Sequence, residues 1–79
     1  MRLPRGLTGE DLARALRLLG YEITRQTGSH LRLTTARNGE HHVTIPRHDP
    51  LRVGTLSSIL QEVARHHELN RDEVLKILF

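Results

Sequence analysis

The sequence predicts an α+β domain: one helix, a three-stranded antiparallel meander, a second helix and a short third helix. Apolar residues recur at three- and four-residue steps from Leu12 to Leu19, alternate with polar ones from Tyr21 to Ile45, and return to helical steps from Leu56. Thr8 with Asp11, and Asn70 with Glu73, have the spacing of helix-capping pairs. Asn38-Gly39 is a strong hairpin signal, because both residue types tolerate the positive φ that a tight two-residue turn requires.

The first helix starts after Thr8, with Leu7 placed to staple against Leu12, and presents Leu12, Ala15, Leu16 and Leu19 on one face. Arg14 and Arg17 lie near the opposite, solvated side, and Gly20 supplies the left-handed stop. Three strands follow. Tyr21 and Ile23, then Leu31 and Leu33, then Val43 and Ile45 are expected against the helices. His30, Arg32, Thr34, His42 and Thr44 are left on the wetter face. Gly28-Ser29 marks the first reversal, and a bulge at Gly28 would leave the parity of Arg25 and Thr27 open. Pro46 ends the third strand, a loop holds Asp49-Pro50, and Thr55 is expected to cap a second helix buried along Leu56, Ile59, Leu60, Val63 and Ala64. The third helix carries Leu75 and Leu78, with Leu69 and Val74 placed as its staple.

At 79 residues, with no repeat or linker, the chain is expected to form a single domain over 1–79, with 1–7 flexible. It has no cysteine, which excludes disulfides and thiolate zinc sites. No apolar run is long enough to span a bilayer, and the N-terminus lacks the apolar middle of a secretion signal, so a cytoplasmic address is expected. The formal net charge is +3, Lys76 is the one lysine among 12 cations, and six histidines add charge near their pKa, so an anionic partner is favoured. Tyr21 and Phe79 are the only aromatics, which argues against base stacking on an aromatic sheet and for backbone contact.

Two constellations carry candidate chemistry. His30 follows a glycine turn and shares a strand face with Arg32. An imidazole there is suited to moving a proton to or from a ribose oxygen, with arginine offsetting charge on phosphorus; the plain alternative is an exposed or structural histidine. Arg47, His48 and Arg52 occupy the loop before the second helix, whose first N–H groups, expected from Leu56 to Ser58, favour an anion; the alternative is a capped helix with solvated arginines. A metal site is disfavoured. His41 and His42 point to opposite strand faces, and His66 and His67 lie roughly 100° apart around a helix. No phosphate loop, serine triad or supported carboxylate pair is present in the sequence.

Leu19-Gly20-Tyr21, Arg25-Gln26-Thr27-Gly28-Ser29-His30, Val43-Thr44-Ile45-Pro46-Arg47-His48 and Gly54-Thr55-Leu56-Ser57-Ser58-Ile59-Leu60 occur in this order, and together residues 8 to 79 resemble the HicA (YcfA-like) toxin family. The resemblance implies a domain similar to the double-stranded-RNA-binding fold, acting as a translation-independent mRNA interferase. It implies a HicB antitoxin that covers the active face. It also implies that His30, after the Gly-Ser pair, is catalytic, and that His48, after the strand-ending proline, contacts substrate or holds local structure.

The expected activity is therefore metal-independent, cofactor-free RNA cleavage by a toxin of a type II toxin–antitoxin system. His30 would serve as general acid or base, and Ser29, Arg32, Arg47, His48, Arg52 and Thr55 would contact RNA. The expected partners are mRNA and a HicB-like antitoxin, with no membrane. The competing expectations are a non-catalytic double-stranded-RNA-binding module, or an inactive toxin homologue serving as a protein-interaction domain.

Overall fold

A computed structural model describes residues 3–79. The order is α1 (Gly9–Leu16) running into a 3-10 turn (Arg17–Leu19), β1 (Glu22–Gln26), β2 (His30–Thr35), β3 (His41–Pro46), α2 (Val53–His66) and α3 (Arg71–Leu78). The strands form one antiparallel sheet in the order β1-β2-β3, the meander that the alternation predicts. No helix among the described residues is long and apolar enough to cross a membrane.

Helices α1 and α3 begin where polar side chains satisfy otherwise orphaned N–H groups. At α1 the Thr8 hydroxyl accepts from the Asp11 amide at 3.0 Å and the Asp11 carboxylate accepts from the Thr8 amide at 3.1 Å. That backbone donor is the main reason the Asp11 carboxyl sits below the usual carboxylate range, with the Thr8 hydroxyl contributing next. Asn70 and Glu73 make the same reciprocal pair at α3. The second helix differs from expectation. It starts at Val53, with Arg52 as the N-cap residue and no side-chain cap. Thr55 is therefore the third helical residue rather than the cap. Gly54 keeps an ordinary negative φ and continues the helix, so nothing delays its start to Thr55.

The helices cover one face of the sheet. Leu12, Leu16, Tyr21, Leu31, Leu33, Val43, Ile45, Leu56, Leu60, Val63, Val74 and Leu75 form the centre of the core, with Leu78 beside them. Part of the expected flexible segment, residues 1 and 2, lies outside the described residues; Leu3 and Leu7 pack partly buried against the core. The two turns differ in their chemistry. Asn38 and Gly39 both have positive φ, 59° and 94°, but they lie in a longer connection between the paired Thr35 and His41, where the Gly39 amide donates to the Ala36 carbonyl, and not in a two-residue turn. The first hairpin instead closes through Thr27, whose amide donates to the His30 carbonyl at 2.9 Å.

The bulge lies elsewhere than at Gly28. Register shifts between Ile23 and Arg25, so Thr24 is the extra residue, with its hydroxyl bonded to that of Thr34 at 2.9 Å and to the Arg32 carbonyl at 3.4 Å. Parity flips there. Ile23 stays on the helix side but is 42% exposed, lining a cleft with Ala13, Arg14 and Arg17 rather than entering the core.

Candidate functional site

The uncovered sheet face carries the expected polar set in three rows, read across the strands. His30 stands opposite Pro46. Arg25, Arg32 and Thr44 stand in line. Glu22, Thr34 and His42 form the third row. His30, Arg32, His42 and Thr44 are exposed and Thr34 is half-buried.

His30 sits at the first position of β2, fixed by the turn before it. The Thr27 hydroxyl accepts from the amides of Ser29 (3.3 Å) and His30 (3.0 Å), and the Arg47 amide donates to the Ser29 carbonyl at 2.8 Å. The His30 ring is held by its Nδ1, which lies 2.9 Å from the Ser29 hydroxyl, and Nε2 makes no hydrogen bond among the described residues. A serine hydroxyl either donates or accepts. When it donates to Nδ1, the neutral ring carries its proton on Nε2 and presents no basic nitrogen outward; when it accepts from Nδ1–H, Nε2 is a base in the neutral ring and the acid in the imidazolium. That second arrangement supports both halves of a proton transfer.

Arg47 is committed to the protein. Its Nη1 donates to the Thr27 carbonyl at 2.9 Å, and Nη2 and Nε reach the Glu10 carboxylate at 3.3 and 3.4 Å. It links α1, the end of β3 and the turn that carries His30. The adjoining backbone reinforces the link: the Gly9 amide donates to the His48 carbonyl at 3.0 Å and the Leu51 amide to the Leu7 carbonyl at 2.7 Å. The His48 and Arg52 side chains are exposed, and neither makes a side-chain hydrogen bond or ion pair among the described residues.

Thr55 reaches the open face by a different route from capping. With Thr44, Gly54, Ser58, Ile59 and Glu62 it lines a groove of about 390 Å³ between β3 and the first half of α2. The first intrahelical bond of α2 runs from the Leu56 amide to the Arg52 carbonyl, so the donors left without an intrahelical acceptor are those of Val53, Gly54 and Thr55, not Leu56 to Ser58.

Sequence reasoning left Arg25 unplaced, and the bulge puts it beside Arg32. A signal was present. Strict alternation from Tyr21 and Ile23 would send Arg25 into the helix face, where a guanidinium has no place, so the parity had to break before it.

Four of the histidines serve the scaffold or the flank of the face. His41 and His67 both bond the buried Tyr21 hydroxyl, at 2.8 Å through Nδ1 and 3.1 Å through Nε2. His66 stacks on His41 with centroids 4.3 Å apart. Its Nε2 faces the carbonyls of Arg37 (3.0 Å) and Gly39 (2.9 Å), so that nitrogen carries the proton. Burial, then the neighbouring His66, holds His41 and His67 below the ordinary histidine pKa, and burial pushes the Tyr21 hydroxyl up to about 12. His42, on the opposite strand face, bonds Thr34 at 2.7 Å and Glu40 at 3.2 Å. No group of three or more potential ligands among the described residues has the arrangement of a metal site.

The fold and the site define a small α+β domain with one uncovered, arginine-bearing sheet face and an outward-facing histidine at the start of its middle strand. The model of the family described as the HicA toxin of bacterial toxin–antitoxin matches residues 9–64, most of the chain, from α1 to α2. The chain belongs to the HicA toxin family, and that membership implies an antitoxin partner. No curated protein and no solved structure matched the chain.

Proposed function

We propose that this chain is the toxin of a type II toxin–antitoxin pair and cleaves mRNA in the cytoplasm without a metal, using His30 for proton transfer at Nε2. The observation that carries the reading is the ring itself: exposed on the open face, held through Nδ1 by Ser29, and one row from Arg32. RNA supplies its own nucleophile. Once the ribose 2′-hydroxyl loses its proton, the oxygen attacks the adjacent phosphorus, the bond to the 5′-oxygen breaks, and a cyclic phosphate remains. His30 takes the first proton or delivers one to the leaving oxygen, and Arg32 offsets the charge that builds on the phosphorane.

Arg47 acts in this scheme as a positioning residue, through Thr27 and Glu10. His48, Arg52 and Thr55 offer further contacts to RNA, two on the exposed loop and one in the groove beside Thr44. A HicB-like antitoxin would restrain the activity by covering the open face.

Replacing His30 by alanine is expected to abolish cleavage of total RNA in the presence of a chelator and to leave the circular-dichroism spectrum unchanged. A substrate with deoxyribose at the cut site should survive the wild-type protein. Retarded but intact RNA with wild-type protein would instead identify a non-catalytic binding module. Full cleavage by folded His30→Ala would remove the histidine from the mechanism.

A further inference from the structure

The Thr24 bulge that keeps Arg25 off the helix face also brings two like charges together. It sets Arg25 directly opposite Arg32, and residues so paired across antiparallel strands have Cβ atoms roughly 5 Å apart, where like charges destabilise the pair. Neither guanidinium is neutralised: among the described residues neither makes an ion pair or a side-chain hydrogen bond. Four other arginines are engaged: Arg14 pairs with Asp11, Arg47 with Glu10, Arg37 donates to the Leu18 carbonyl and Arg71 to the Ser57 hydroxyl. Arg5, Arg17, Arg52 and Arg65 make no such contact among the described residues, so what sets Arg25 and Arg32 apart is their pairing across neighbouring strands. The unsatisfied pair is one row, about 7 Å along the strand, from His30, and the Thr44 hydroxyl continues it toward the groove.

We infer that Arg25 and Arg32 together form a phosphate subsite that grips the RNA backbone beside the bond His30 acts on. The inference rests on the RNA reading above but concerns binding, so it stands or falls apart from the chemistry. Two forks on one sheet face suit the several acceptor oxygens of a phosphodiester, and an anion between them relieves the repulsion that the bulge creates. Arg25 is the informative member, because without the bulge its side chain would point to the helices.

The test uses His30→Ala protein, which cannot consume the probe, and a short single-stranded oligoribonucleotide, with affinity measured across a salt series. Arg25→Gln is expected to weaken binding roughly ten-fold at low salt and to reduce the slope of log affinity against log salt by about one. Arg25→Lys keeps the charge but not the fork, and should recover only part of the loss. Arg14→Gln, on the helix side, is the control and should change little. Equal affinities for Arg25→Gln and Arg14→Gln, both folded by circular dichroism, would overturn the subsite. Full recovery by lysine would also overturn it, in favour of a diffuse field. Should the parent protein prove unable to cleave RNA while the Arg25 effects persist, the cleavage reading fails and the subsite remains.

Discussion

Arg47 Nη1 donates to the carbonyl of Thr27 at 2.9 Å, so the end of β3 holds the turn from which His30 projects. The same guanidinium is anchored on Glu10 of α1. Three elements distant in sequence thus fix one imidazole.

Loss of that brace should appear in turnover more than in binding. Arg47→Gln is expected to lower kcat on the order of 10- to 100-fold, as misplacement of a reacting group does, with a smaller change in KM. Glu10→Gln should have a weaker effect in the same direction. Steady-state cleavage kinetics of both variants check this; a raised KM with unchanged kcat would make Arg47 a substrate contact instead.

Ser29→Ala removes the partner of His30 Nδ1 and leaves the ring free to rotate. Cleavage should fall roughly ten-fold, about the worth of one hydrogen bond. A rate equal to wild type would show that Ser29 plays no part in orienting the ring.

Gly9 is fixed by contact. A Cβ there would lie 2.3 Å from the Pro46 carbonyl oxygen, a backbone atom at the end of β3. Gly9→Ala must push α1 away from the end of β3, which Arg47 directly follows, at a cost of about 1–3 kcal/mol. Thermal denaturation should show a lowered Tm, accompanied by lost cleavage at temperatures where the variant is still folded.

The Tyr21 cluster predicts acid sensitivity. His41 and His67 have folded pKa values below the ordinary 6.5, so the unfolded chain binds more protons as pH falls. Their contribution is therefore fully present above that value and is lost as pH drops through it toward the folded pKa. Urea midpoints should fall between about pH 7.5 and 5.5, and His41→Gln with His67→Gln should flatten the dependence. An equally steep fall in the double variant would place the sensitivity elsewhere.

The sequence by itself determined the elements and their order, because these follow from local physics. Capping at Thr8 and Asn70 satisfies neighbouring N–H groups, Asn38-Gly39 adopts the positive φ of its turn, and the alternation from Tyr21 to Ile45 tells the buried face from the open one. It also placed His30, Arg32, His42 and Thr44 on that open face, since side chains two apart on a strand share a side.

Only the tertiary structure decided where parity breaks, where α2 begins, and what Arg47 and the remaining histidines touch. The bulge at Thr24 is set by pairing with β2. The early start of α2 puts Thr55 in the groove beside Thr44 rather than at a cap. Arg47 meets Glu10 across 37 positions and His67 meets Tyr21 across 46. Contacts at such separations depend on how helices and sheet settle against one another, a cooperative outcome of core packing that no local pattern of residues encodes.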